Sequence, residues 1–214
     1  MKSKPTKKEV VTAFRTREIL TAAREVMERL GVEAATMDEI AQTAGIAKGT
    51  IYLYFQGKEE LIQALMSQVG ENMHRDLKAV IDTAFSPRDK LPRVLAVLVD
   101  YLERERALFP IYMRDFAHWM VPGGRKRFGR IRELEGEILA LLNHLFSEGV
   151  ATGDFIPADP KLLTFLLRSL VRGVGFYGMA EGRSEAIKEA LPVLVTFMLS
   201  GLTPPPASTA EVHS

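Results

Sequence analysis

The sequence has no cysteine, a single tryptophan and no long run of apolar residues. Without cysteine there is no disulfide framework, no thiolate nucleophile and no Cys-ligated zinc or iron–sulfur site. The longest largely apolar stretch, residues 191–199, contains Pro192 and is far shorter than the roughly 18 residues of a membrane span. The basic start lacks the apolar segment of a secretory signal. We therefore expect a cytoplasmic protein that is neither exported nor inserted into a membrane.

The composition is that of a folded globular protein, with 47% hydrophobic and 26% charged residues in a chain of 214. That length suits one large domain or two small ones. The net charge of only +1 conceals an asymmetry, because residues 1–24 carry seven basic side chains and two acidic ones. A basic arm of this kind is typical of nucleic-acid contact or of a solvated tail.

Helical spacing of apolar residues predicts the first three helices. Thr16 is placed as the N-cap of a first helix that ends at Gly31. Thr36-Met37-Asp38-Glu39 fits a capping box, so a second, short helix is predicted to start there and to stop at Ala44-Gly45. A third short helix is predicted near residues 48–54.

The remainder of the chain also lacks strand alternation, and the overall prediction is an all-α fold of about nine helices. One helix from Lys58 could run to Ala84, another ends at Gly149, and Asp159-Pro160 starts the next. The predicted domains are a partly disordered basic arm over 1–15, a helix-turn-helix domain over 16–60, a helical ligand-binding and dimerisation domain over 61–202, and a disordered tail over 203–214.

Residues 36–58, TMDEIAQTAGIAKGTIYLYFQGK, carry the most specific functional signal. Two short helices joined by a glycine turn form a helix-turn-helix, whose second helix can enter the DNA major groove. Ile51 and Phe55 are four residues apart and share one face, so we expect them to be buried. The outer faces then carry Lys48 with Tyr52, and Thr50 with Tyr54.

Leu53 lies about 200° around the same helix from Ile51. It is either a partly exposed packing residue or a contact to a thymine methyl group, and we favour packing.

The segment TMDEIAQTAGIAKGTIYLYFQGKEEL closely resembles the N-terminal domain of the TetR (tetracycline-repressor) family of transcriptional regulators. The resemblance covers residues 16–65, and beyond residue 85 it extends only to the helix layout. It implies a repressor that binds a palindromic operator in double-stranded DNA and is released by a small molecule. It also implies a homodimer that forms through the last two helices. Many members have Ser or Thr at the position of Ala47, so this chain lacks a helix cap there. By the same resemblance the DNA-contacting residues are Thr36, Lys48, Gly49, Thr50, Tyr52, Tyr54 and Lys58.

An effector pocket is predicted from a concentration of aromatic and soft apolar residues around positions 109–128. Such a cluster suits an apolar or aromatic compound with one polar handle, although ordinary core packing is the alternative. The candidate ligand-binding residues are Phe109, Tyr112, Met113, Phe116, His118, Trp119 and Phe176.

No metal and no cofactor are predicted. The histidines are isolated, without a second ligand at helical spacing. Residues 173–178, GVGFYG, match the dinucleotide-binding fingerprint, but they end a helix and follow no strand. Two alternatives to the regulator remain open: a helical ligand-binding or scaffold protein without DNA binding, and a small all-α enzyme. The enzyme is disfavoured because no convergent nucleophile, base or metal set is visible.

Overall fold

The computed structural model of the chain describes residues 6–120, 129–183 and 185–204, and the side chains of 115–120 are outside that description. Within these ranges the chain forms nine α-helices and one short 3-10 helix, with no strand. The all-α prediction is confirmed. The α-helices are α1 (Lys7–Leu30), α2 (Met37–Thr43), α3 (Lys48–Ile51), α4 (Lys58–Ile81), α5 (Pro87–Arg104), α6 (Phe109–Met120), α7 (Gly129–Thr152), α8 (Pro160–Glu181) and α9 (Glu185–Leu202), and the 3-10 helix is Arg106–Leu108.

The described residues fall into two compact units. The first unit contains the chain up to Gly70 together with residues 105–132, and the second contains residues 71–104 and the chain from Glu133 onward. The helix-turn-helix segment therefore lies in the first unit, and α5, α8 and α9 lie in the second.

The start of α1 corrects the prediction that Thr16 caps the first helix. The N-cap is Thr6, whose hydroxyl accepts a hydrogen bond from the Glu9 backbone N–H at 3.3 Å, while the Glu9 carboxylate accepts one from the Thr6 N–H at 2.7 Å. This capping box satisfies otherwise unpaired N–H groups at the helix start. Residues 7–15, assigned to a partly disordered arm, are therefore helical, and their side chains are exposed.

The first unit is held together by an apolar cluster that draws on α1, α2, α3, the first half of α4 and the 3-10 helix. Two ion pairs also tie α1 to the segment after α5: Arg24 Nε lies 3.0 Å from Glu105 Oε2, and Arg106 Nη2 lies 3.3 Å from Glu28 Oε1. The buried members of this cluster are Ile19, Leu20, Ala22, Ala23, Val26, Met27, Ala35, Met37, Ile40, Ala41, Ile51, Phe55, Leu61, Leu65 and Leu108.

The second unit buries a larger apolar cluster, in which α5 packs against α8 and α9. Two charged residues are buried in it and both have partners on α7: Lys90 Nζ lies 3.1 Å from Glu148 Oε2, and Arg168 pairs with Glu135. Buried charges need such partners because an isolated one would lose its hydration without compensation.

Two glycines of the second unit serve packing. Gly149 lies inside α7, which ends at Thr152, so the prediction that Gly149 terminates this helix is wrong. A Cβ atom there would lie 2.1 Å from the Phe155 ring, so only glycine admits that side chain. A Cβ on Gly178 of α8 would lie 2.3 Å from Ile187, where α8 meets α9. Residues 173–178, which match the dinucleotide-binding fingerprint, lie within α8, which continues to Glu181.

Candidate nucleic-acid interface

The helix-turn-helix is built as the capping box predicts. The Thr36 hydroxyl accepts a hydrogen bond from the Glu39 N–H at 3.2 Å, and the Glu39 carboxylate accepts one from the Thr36 N–H at 3.0 Å. After α2 the chain turns at Gly45, whose φ of 66° favours glycine. Helix α3 then begins without a side-chain cap, because Ala47 occupies its N-cap position. The missing cap predicted at Ala47 is confirmed.

The inner face of the segment agrees with the prediction. Ile51 is fully buried and Phe55 is 5% exposed. Both belong to the cluster that also contains Ile40 and Ala41 of α2. These contacts fix α3 against the rest of the first unit and determine which of its side chains remain outside.

The outer face presents Lys48, Gly49 and Tyr52, all of which are exposed. Leu53 is also exposed, and at 82% it is more exposed than Tyr52 at 45%. The interpretation of Leu53 as a packing residue is therefore wrong. Leaving a large apolar side chain in water forgoes the gain of burying it, which makes Leu53 a candidate contact residue.

Thr50 and Tyr54, which were expected on the outer faces, are half-buried. Tyr54 packs against the apolar cluster of the first unit. The physical reason is that α3 ends at Ile51 and residues 52–54 form a turn, so helical spacing no longer fixes the direction of Tyr54. Its N–H donates to the Ile51 carbonyl at 3.0 Å, a bond three residues back along the chain.

Lys58 has a structural role that the sequence analysis missed. Its ammonium donates to the backbone carbonyls of Val32, Glu33 and Ala35 at 2.9, 2.8 and 3.0 Å. An ammonium has three N–H donors, so all three are used to hold the loop between α1 and α2. The three N–H groups of Lys58 are thus engaged within the protein, while its contact with DNA stays a prediction from the family resemblance.

Lys48 carries a partner that the sequence did not reveal. Its Nζ lies 2.6 Å from Oδ2 of Asp38, in the first turn of α2. Hydrogen bonding and charge attraction from Asp38 raise the pKa of Lys48 above its ordinary value, so the lysine stays charged. The cation is therefore presented at the surface next to a carboxylate.

The predicted effector residues are only partly brought together. Phe109 is buried in α6, and Tyr112 and Met113 are half-buried on the same helix. Phe176 lies on α8 in the other unit and is 50% exposed, which does not suit the wall of an enclosed pocket. Phe116, His118 and Trp119 have side chains outside the described part of the structure.

Family comparisons agree with this geometry. A sequence model described as bacterial regulatory proteins, tetR family, matches residues 19–65, and one described as tetracyclin repressor-like, C-terminal domain, matches residues 84–185. The chain belongs to the TetR family of transcriptional regulators. Its helix-turn-helix is the DNA-binding domain of that family, and the TetR-family chain is a regulator and not an enzyme.

Individual relatives and solved structures are similar to this chain at low identity. The transcriptional repressor KstR2 of Mycolicibacterium smegmatis is 28% identical over 145 residues, which are 68% of this chain and 69% of KstR2. The fatty acid degradation regulator FadR of Bacillus halodurans has a TM-score of 0.72 at 22% identity, covering 87% of this chain and 95% of that one. FadR of Bacillus subtilis, solved in complex with stearoyl-CoA, has a TM-score of 0.69 at 21% identity, covering 86% and 98%.

Proposed function

We propose that this TetR-family protein is a cytoplasmic repressor that binds a palindromic operator as a homodimer and is released by an apolar small molecule. The observation that carries the proposal is the pair of faces on α3 and the turn after it, residues 48–55, which are together called the α3 surface. Ile51 and Phe55 anchor this segment inward, while Lys48, Tyr52 and Leu53 remain exposed.

The outer face offers the chemistry that a DNA major groove requires. Lys48 supplies a cation for a phosphate, and Gly49 lets the backbone approach the same strand. Tyr52 supplies a hydroxyl and a ring. Leu53 is suited to an apolar contact with the C5-methyl group of thymine. Thr36 is exposed at the N-terminal end of α2, the first helix of the helix-turn-helix.

The dimer is assigned to the outer face of α8 and α9. From Pro192 to Gly201, helix α9 has no charged residue. One open face of this stretch is formed by Pro192, Val193, Thr196, Phe197, Ser200 and Gly201. An exposed apolar surface of this kind marks a protein interface. The large apolar side chains left exposed on the two helices are Leu162, Phe165, Leu166, Phe176, Tyr177, Met179, Val193 and Phe197.

A second copy of the chain is the occupant that fits both helices. Helix α8 is long and apolar enough to cross a bilayer by composition, yet 44% of that apolar stretch is buried inside the protein. One apolar face is thus already used, and a two-fold dimer would cover the other with the same surface of its partner. Two recognition helices related by that axis would read the two halves of a palindrome, spaced by about 34–36 Å or a multiple.

The effector is assigned to the apolar surroundings of α6. Tyr112 packs with Met66, Ile111 and Ile131 in a small apolar cluster. Gln63, three residues before Met66 on α4, has a buried amide nitrogen with no hydrogen-bond partner within the described residues. A buried donor without an acceptor is costly, so an apolar effector with a carbonyl or carboxylate would suit this region. Stearoyl-CoA, bound by FadR of Bacillus subtilis, is the first compound to test.

The test is binding of the purified protein to DNA from upstream of its own gene. Binding is measured by fluorescence anisotropy over a range of salt concentrations. We expect binding that weakens steeply with salt, and weaker binding by Tyr52→Ala and Lys48→Ala at unchanged melting temperature. Added stearoyl-CoA should raise the melting temperature and reduce DNA binding. If neither variant differs from the wild type on DNA, the assignment of the α3 outer face is wrong.

A further inference from the structure

The ion pair between Lys48 and Asp38 has no evident role in stability. The lysine side chain is 66% exposed and the aspartate side chain 55%. Exposed pairs of this kind contribute little to folding, because water screens the attraction and two side chains lose freedom. Asp38 also lies in the first turn of α2, where a carboxylate interacts favourably with the helix dipole, but that interaction does not require Lys48.

The same pair matters on the surface assigned to DNA. A carboxylate 2.6 Å from the Lys48 ammonium neutralises the charge that would otherwise attract a phosphate. When Lys48 turns to a phosphate, Asp38 is left as an unpaired anion close to the DNA backbone. That arrangement is unfavourable unless the carboxylate finds a new donor. In the major groove the amino group of cytosine is such a donor.

We propose that Asp38 is a specificity-determining residue. Its ion pair with Lys48 opens, and Lys48 contacts a phosphate, only where the DNA offers the Asp38 carboxylate a cytosine amino group. The proposal rests on the proposed function, because Lys48 must face DNA. On the operator the exchange is balanced: Lys48 gains a phosphate and Asp38 gains a base. On other sequences Asp38 gains nothing, so it penalises non-specific binding, as an unpaired charge placed against the wrong partner does.

The experiment compares two duplexes of equal length and composition, one containing the operator segment mapped by footprinting and one with that segment scrambled. Asp38→Asn removes the charge at constant shape. We expect it to bind the scrambled duplex about fivefold more tightly, with a salt slope steeper by about one unit, because Lys48 is now free for a phosphate. Operator affinity should change by less than about twofold, so the ratio of the two affinities falls.

A matched control is available at the end of α4, where Lys78 pairs with Asp82 just after the helix. Lys78 Nζ lies 2.7 Å from Asp82 Oδ2, and both side chains are more than half exposed, at 53% and 58%. Asp82→Asn makes the same charge change in the same kind of pair and should leave the affinity ratio as in the wild type. If Asp38→Asn raises both affinities equally, or neither, Asp38 does not set specificity and the proposal is overturned.

Two further variants separate this proposal from the docking surface beneath it. In a Lys48→Gln background, Asp38→Asn should no longer tighten binding to the scrambled duplex. Asp38→Ala should lose discrimination at one base pair of each half-site, where the wild type prefers cytosine. If Lys48→Gln binds both duplexes like the wild type, the α3 docking surface itself is wrong. If Lys48→Gln weakens binding while Asp38→Asn leaves the ratio unchanged, only the role of Asp38 fails.

Discussion

Two exposed surfaces of this TetR-family chain differ sharply in chemistry. The outer face of α3 and of the turn after it combines a lysine, a tyrosine and a single large apolar side chain, Leu53. The outer face of α8 and α9 carries several large apolar side chains, and α9 has no charge from Pro192 to Gly201. A hydrated, charged partner suits the lysine and tyrosine of the α3 surface. An apolar partner surface suits the outer face of α8 and α9. The two faces thus indicate two kinds of partner, and mutations can test each separately.

The largest effect is expected from a charge on the α9 surface. Phe197 is 63% exposed, so Phe197→Glu should fold normally as a monomer but oppose dimerisation by placing a carboxylate in an apolar interface. We expect a monomer by light scattering. Operator affinity should fall by about 100-fold or more, because the two helix-turn-helix domains are no longer joined and bind the operator independently.

The matched control for that variant is Phe85→Glu. Phe85 is a 48% exposed phenylalanine in the same unit but outside α8 and α9, so this variant should remain dimeric. A Phe197→Glu protein that stays dimeric would place the interface elsewhere.

The next effect concerns the support of the α3 surface. Lys58→Met removes three hydrogen bonds to the carbonyls between α1 and α2, at 2.8–3.0 Å. We expect a loss of about 2 kcal/mol in the free energy of unfolding, measured by urea denaturation, since hydrogen bonds from a charged group are stronger than neutral ones. Lys78→Met on the same helix removes an exposed pair only and should cost less than about 0.5 kcal/mol. Equal losses in the two variants would contradict the role of Lys58.

A smaller effect is expected at the one apolar side chain of the α3 surface. Leu53→Ala should leave stability unchanged, because Leu53 is 82% exposed. It should weaken operator binding by about 1 kcal/mol if the side chain contacts a thymine methyl. Replacing thymine by uracil at the contacted position should weaken the wild type equally and have no effect on Leu53→Ala. Additive losses would show that Leu53 does not contact that methyl.

The smallest effect concerns the missing cap of α3. Ala47 has the extended backbone of an N-cap residue, with φ of −65° and ψ of 144°, but no side-chain hydrogen bond. Ala47→Ser should raise the free energy of unfolding by about 0.5 kcal/mol, seen as a higher melting temperature. Ala13→Ser, at an exposed position within α1, should not stabilise, because serine gains nothing inside a helix. A fall in stability in Ala47→Ser would show that the turn leaves no room for the hydroxyl.

Local patterns in the sequence were sufficient for most of the fold. The capping box at Thr36, the buried pair Ile51 and Phe55, and the helix start at Asp159 all follow from spacings of three or four residues, which a helix imposes directly. The same kind of signal was present at Thr6 and Glu9, where it marks the true start of α1.

The features that the sequence did not predict depend on tertiary contacts. Lys58 meets carbonyls more than 20 positions earlier, and Lys48 meets Asp38 across the turn between two helices, so neither pairing has a local signature. Gly149 looked like a helix end because glycine often is one, but Phe155 requires a residue without a side chain there. Leu53 could not be placed because its exposure depends on where α3 ends.

The early start of α1 has a practical consequence for protein engineering. Thr6 and Glu9 close the first turn, and the exposed residues that follow include Val10, Val11 and Phe14. A shortened protein that began at Thr16 would lose this closure, and its new first turn would fray toward Ile19, where the apolar cluster of the first unit begins. Purification tags and fluorophores should therefore be joined ahead of Thr6, with α1 kept whole.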